Sequence, residues 1–174
     1  MEDLSYPIGK FKPESEITNE RRKELIDEIA AAPAALREAV KGLSKEQLDT
    51  PYRPGGWTVR QVAHHIPDSH MNAYIRFRLA LTENEPTIKP YEQPLWAELP
   101  DAKTAEIEMS LKLLEGLHER WVALLRSMKP EDFQRKFNHP ENGVSVLERT
   151  LQMYAWHGKH HVAHITSLRK KTGW

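Results

Sequence analysis

The chain has 174 residues, enough for one domain with a substantial core, and its 25 lysines and arginines balance 25 aspartates and glutamates, so no net field draws it to nucleic acid or to an anionic membrane. It contains no cysteine, which excludes disulfides, thiolate nucleophiles and thiolate metal ligands and leaves nitrogen and oxygen as donors for any metal. The start Met1-Glu2-Asp3-Leu4-Ser5-Tyr6-Pro7 lacks the basic and apolar stretches of a secretion signal, and no run of about 18 apolar residues exists for a membrane span, so a cytoplasmic location is expected.

Residues 1–17, with Pro7, Gly9 and Pro13, read as an extended arm over the body of a single domain that spans residues 1–174. From Thr18, Leu25, Ile29, Leu36, Val40 and Leu43 recur at the spacing of one helical face, with Gly42 near its end. Pro33 lies inside that pattern and should kink or split the helix near Ala32. Ser44-Lys45-Glu46-Gln47 has capping-box form and opens a short turn through Leu48. Thr58-Val59-Arg60-Gln61 repeats the form after the turn-rich stretch 50–56. It starts a helix to about Leu81 that carries Val59, Val62, Ile66, Ala73, Phe77 and Ala80 on one side.

The stretch from Thr82 to Pro100 holds four prolines and reads as a long loop whose Tyr91, Leu95 and Trp96 can pack over something. A third long helix is predicted from near Asp101 to about Met128, with Ile107, Leu111, Leu114, Trp121 and Leu125 on its stripe and His118 among them as a core histidine. Residues 138–143 form a turn. Ser145-Val146-Leu147-Glu148 is a third capping box, opening a helix that reaches Leu168 and ends in the cations Arg169, Lys170 and Lys171, which suit its negative end. No strand pattern competes, so the fold class is all-α: a four-helix bundle whose long connections permit an order other than simple up-down.

Most of the nine histidines fall in two short windows. Side chains four apart on a helix stack about 5–6 Å apart, so their imidazoles can converge on one ion, and both His157/His161 and His160/His164 have that spacing. With about 100° of rotation per residue and the core direction set by Leu147, Leu151, Val162 and Ile165, His161 points inward, His157 flanks it and His160 faces largely outward. The pair chosen on geometry is therefore His157 and His161. A third ligand would come from His64, His65 or His70 on the second long helix; periodicity places His64 outward, His65 at the stripe's edge and His70 nearer its middle, and does not choose between the last two.

The run from Gly55-Gly56-Trp57-Thr58 through His64-His65-Ile66-Pro67-Asp68-Ser69-His70, followed about ninety residues later by the histidine-rich segment, resembles the DinB superfamily and most closely its YfiT group. The likeness runs from the Leu4–Gly9 arm to Ile165. It implies a four-helix bundle of unusual helix order, a homodimer, and one divalent metal, zinc or else nickel, held by three histidines. On this chain those are His65, eight residues after the tryptophan, with His157 and His161. The broader superfamily often has Gly-Gln where this chain has Ala163-His164, a form the YfiT group shares. Pro67, two residues after His65, is expected to bend the helix at that ligand.

Three neutral imidazoles leave a cation its full charge and an open position, the pattern of a catalytic rather than a structural site. No glutamate lies between His157 and His161, so the HExxH peptidase arrangement is absent. Asp68, one turn after His65, is the candidate base or ligand-orienting carboxylate, with His70, His160 and His164 as further donors to the ligands. The resemblance implies a metal-dependent hydrolase that activates water on a small-molecule substrate. The alternatives are an S-transferase that activates a low-molecular-weight thiol such as bacillithiol, and a non-enzymatic metal-binding stress protein.

Overall fold

Three helices of this chain begin where a hydroxyl satisfies a free backbone N–H. In the computed structural model, which describes residues 4–174, Thr18 caps α1 (Asn19–Val40) by accepting from the Arg21 amide. Ser44 and Thr58 close full capping boxes with Gln47 and Gln61 at the heads of α2 (Lys45–Leu48) and α3 (Val59–Thr82). The six apolar residues expected on one side of α3 are all buried, at 0–1 % exposure.

Neither internal proline divides its helix. α1 runs through Pro33 as one element, and α3 through Pro67. Pro33 has no N–H to offer the Ile29 carbonyl four residues back, but that oxygen instead accepts from Nδ1 of His118 at 2.8 Å. A side chain from another helix replaces the missing backbone donor.

The expected third long helix is two. α5 (Pro100–Thr104) follows the short α4 (Gln93–Ala97), and α6 (Ile107–Ser127) starts after extended backbone at Ala105 and Glu106. The break presents the Ala105 carbonyl to Nη1 of Arg60 at 2.8 Å and to Nε2 of His64 at 3.2 Å. After a 3-10 turn (Pro130–Gln134), β1 (Lys136–His139) pairs antiparallel with β2 (Gly143–Val146), from Lys136 opposite Val146 to His139 opposite Gly143. No strand was expected, because four-residue strands carry too little alternation to register as a pattern. The hairpin also takes Ser145 out of its expected capping role: Val146 precedes α7 (Leu147–Thr172) without a side-chain cap, and the Ser145 hydroxyl instead lies 3.5 Å from that of Thr150. α7 ends as expected after Arg169, Lys170 and Lys171, with Gly173 at φ +77°.

The four long helices form the bundle, and their neighbours reveal its order. α1 packs against α6 and α7, and α3 packs against the same two, so α1 lies diagonal to α3 and α6 to α7. Helices consecutive along the chain are thus not adjacent in the first and last pairs, which the long connections permit. Two apolar clusters fill the interior. One joins Ile29, Phe77, Trp121 and Leu151; the other joins Leu36, Ile66, Leu114 and Ile165. Between them on α3, α6 and α7 lies the polar layer that holds the histidines, and the matching stretch of α1, residues 30–35, is alanine and proline.

The described part of the arm runs antiparallel along α7. The Glu14 amide donates to Gln152 at 2.7 Å, Phe11 meets Trp156 with ring centres 6.0 Å apart, Tyr6 meets His160 at 5.8 Å, and the Ser5 carbonyl accepts from Nε2 of His164 at 3.2 Å. The three residues that precede it lie outside the described residues. No helix among the described residues is long and apolar enough to cross a membrane.

Candidate metal centre

α3 and α7 run side by side in opposite senses, which brings residue 65 opposite residues 157 and 161. One ring nitrogen from each of His65, His157 and His161 lies within 4.8 Å of the others. The ring centres are 5.4 Å apart for His65 and His157, 4.7 Å for His65 and His161, and 4.4 Å for His157 and His161. Trp57, just before the α3 cap, packs its ring 4.8 Å from His65 and closes that side. The proline two residues after His65 leaves its imidazole within reach of the other two.

Burial settles the charge on these rings. It pushes His65 down to about 4 and holds His157 and His161 well below the usual imidazole range, with the neighbouring histidines adding to the effect. All three are neutral at pH 7, and a neutral imidazole has one nitrogen with a free lone pair.

A chain of hydrogen bonds selects which nitrogen that is on His157. The Ile29 carbonyl can only accept, so Nδ1 of His118 donates to it. Nε2 of His118 then accepts from Nδ1 of His70 at 2.8 Å, and Nε2 of His70 accepts from Nδ1 of His157 at 3.1 Å. Nε2 of His157 is left with its lone pair, 3.5 Å from the Ser69 hydroxyl. This relay crosses the bundle through all four long helices, beginning at the carbonyl that Pro33 leaves free. Its rings are fully buried at His70 and His118, at 0 % and 2 % exposure, where an unpaired N–H would be costly. Gly158, beside His157, allows the close approach of α1: a Cβ there would stand 3.1 Å from that of Ala32 and 3.6 Å from Cε1 of His70.

The orphaned nitrogens fit a cation. His65 has no hydrogen-bond partner among the described residues, and Nδ1 of His161 is buried without one. A second grouping, His160, His161 and His164, also falls within 4.8 Å, but it shares His161 and draws on α7 alone. Its outer rings, whose Nδ1 atoms are likewise buried without a partner among the described residues, stack on aromatic rings, His160 on Trp156 at 4.3 Å and His164 on Tyr52 at 4.0 Å.

Two expected orientations are corrected. His64 and His160 do not face outward: both are 7 % exposed, His64 bonded to Ser110 at 2.7 Å beneath α6 and His160 covered by the arm. Helical periodicity cannot see such covers, because they come from distant parts of the chain. Of the three histidines expected to support the ligands, only His70 hydrogen-bonds one, His157; His160 and His164 lie beside His161 with ring centres 5.0 Å and 5.3 Å away. Asp68 is raised to about 6 by burial and by Asp101, but no hydrogen bond joins its carboxylate to a histidine among the described residues, and its electrostatic neighbours are Asp101 and Tyr91. The relay through His118 to the Ile29 carbonyl was not read in the sequence; its one signal there was a proline inside a helix.

A cavity of about 600 Å³ opens beside the histidines, reaching His157 and His161 and lined also by Ser69 and Tyr154. The two hydroxyls lie 3.4 Å apart. Burial raises the Tyr154 pKa, so its hydroxyl stays protonated at neutral pH and acts as a donor rather than a base.

Relatives place this arrangement in a family. The chain is 58% identical over its full 174 residues, and over the full length of each relative, to proteins of Bacillus cereus (strain 03BB102) and Bacillus thuringiensis subsp. konkukian (strain 97-27), both named "putative metal-dependent hydrolase". Among solved structures it superposes on YfiT from Bacillus subtilis, described as a probable metal-dependent hydrolase with an unusual four-helix bundle topology, with a TM-score of 0.97 and 51% identity over 99% of both chains. TT2238, a four-helix bundle protein, shares the fold alone, with a TM-score of 0.58 and 20% identity over 84% of this chain and 98% of that one. The profile of the DinB superfamily matches residues 28–165. The chain belongs to the DinB superfamily, in the group of YfiT.

Proposed function

We propose that this protein is a metal-dependent hydrolase of a small molecule, with one divalent cation, zinc or alternatively nickel, held by His65, His157 and His161. The observation that carries this reading is the convergence of three neutral imidazole nitrogens beside a cavity that reaches two of them, His157 and His161. The names given to the relatives at 58% identity support the hydrolase class.

A cation on three imidazoles keeps its charge and an open position, and so supplies Lewis-acid activation of a ligand there. The chain's own part is positional. His70 and His118 hold the His157 ring in one tautomer, Trp57 covers His65, and Tyr154 and Ser69 present hydroxyls to whatever enters. No carboxylate lines the cavity; Asp68, buried one turn after His65 and raised to about 6 by burial and by Asp101, stays the candidate base of this reading. The homodimer implied by the resemblance belongs to this reading and is tested by sedimentation.

The metal assignment is tested by elemental analysis. Wild-type protein should retain about one zinc per chain and the triple variant H65A/H157A/H161A none; stoichiometric metal in the triple variant refutes the assignment. Metal-loaded protein is then offered amide and ester panels and, in parallel, bacillithiol with a chromogenic electrophile, with His161→Ala as control. Hydrolysis that disappears in the control is expected. Thiol conjugation that disappears instead would establish the transferase and overturn the hydrolase.

A further inference from the structure

The chain has twelve arginines. Ten are held by a hydrogen bond, an ion pair or an aromatic ring: Arg22 by Glu148, Arg60 by Asp49, Arg135 by the Ala80 carbonyl, and the others likewise. Arg76 on α3 and Arg149 on α7 have no such partner among the described residues. These two line the same cavity, the one that reaches His157 and His161.

The charge there is one-sided. In a chain with no net charge, that cavity wall carries two guanidinium groups and no carboxylate. Arg76 is half-buried, so it has given up part of its hydration without gaining an acceptor, a cost that a bound anion would offset. Its field acts on the cavity: it lowers the pKa of the Tyr154 hydroxyl against the effect of burial. Gln93 and Asn142 on the same wall add neutral donors.

The helices set the distance. Arg149 precedes His157 by eight residues and Arg76 follows His65 by eleven, which at about 1.5 Å per residue is roughly 12 Å and 16 Å along the two antiparallel helices. An α-helical side chain leans toward its own N-terminus, so Arg76 leans back toward the histidines.

We propose that the cavity binds an anionic small molecule, whose carboxylate or phosphate is gripped by Arg76 and Arg149 while its reacting end lies at His157 and His161, on the order of 10 Å away. The anion site stands on the arginines and the cavity alone; the placement of the reacting end rests on the metal-centre reading. Guanidinium forks match both carboxylate and phosphate, so the two sources are separated by experiment.

Metal-free protein is titrated at low salt with succinate and, separately, with inorganic phosphate, following backbone amides by NMR. Saturable shifts at Arg76, Arg149 and Tyr154 are expected with one of the two, weakening as ionic strength rises; succinate marks a carboxylate substrate and phosphate a phosphoester. Arg76→Gln and Arg149→Gln should each raise Kd about tenfold or more. The double variant should lose the response while keeping its circular dichroism and its zinc uptake. Absence of shifts with both anions, or an unchanged Kd in the folded double variant, overturns the proposal. Because the titration uses no metal, a wild-type protein that binds the anion but no zinc would sink the metal reading and leave this site standing.

Discussion

Replacing His118 by phenylalanine keeps a ring of similar size in the core and removes both nitrogens of the first histidine in the relay. Two groups then lose their partners in a region of 0–2 % exposure, the Ile29 carbonyl and Nδ1–H of His70. Each costs about 1–3 kcal/mol, about 2–6 kcal/mol in all, which a domain stable by about 5–15 kcal/mol can lose and still fold. His70 can escape its share by moving its proton to Nε2, but that N–H would then face the Nδ1–H of His157. His157 must shift its own proton to Nε2 in response, and that is the lone pair the proposed metal would use. Loss of such an orienting partner weakens metal affinity by about 10- to 100-fold, or about 1.4–2.7 kcal/mol. Zinc affinity is measured by competition with a chromogenic chelator, and the proton on each ring by two-dimensional 15N NMR of the imidazoles. Wild type should show Nδ1–H on His118, His70 and His157, and His118→Phe should move the proton of His157. A zinc Kd within about twofold of wild type, in a variant with intact near-ultraviolet circular dichroism, would show that the relay does not govern the ligand.

Stability should depend on pH through the buried histidines. His65, His118 and His160 sit at about 4 when folded, against 6.5 when unfolded. Between those values the unfolded chain binds more protons, so stability is full above about 6.5 and is lost as pH falls toward 4, each group contributing up to about 1.4 kcal/mol per pH unit. Urea midpoints of the metal-free protein should fall steadily from pH 7 to 4.5; a flat profile would contradict the burial of these rings. Gly158→Ala tests the helix contact behind the ligand. Alanine gains about 1 kcal/mol of helix propensity, but its Cβ must push against Ala32 at 3.1 Å, and overpacking costs about 1–3 kcal/mol. A net loss of up to about 2 kcal/mol is expected in thermal unfolding, and a more stable variant would mean that α1 moves aside freely.

Much of the architecture was legible because its causes are local. The capping boxes at Ser44 and Thr58, the apolar face of α3 and the HxxxH pair on α7 each follow from backbone geometry within a turn or two, and each appears where the residues place it. The hairpin and the break before α6 were not legible. Four-residue strands leave no periodic trace, and the extended residues at Ala105 and Glu106 place the Ala105 carbonyl against Arg60 and His64, more than forty residues earlier in the chain.

The histidines show where local reasoning ends. Helical rotation alone put His157 and His161 on one face, because four residues make about one turn. It could not separate His65 from His70, since both lie inside and differ only in what they meet. The antiparallel pairing of α3 with α7 sets His65 against the HxxxH pair, whereas His70 lies a turn further on, opposite His118 of α6, and becomes a link in the relay. The proline at position 33, read in the sequence as a kink or a split, becomes in three dimensions a free carbonyl at Ile29 that fixes the protons of three histidines. Only the packing of four distant segments could decide that, because an imidazole's role depends on which donor or acceptor it faces.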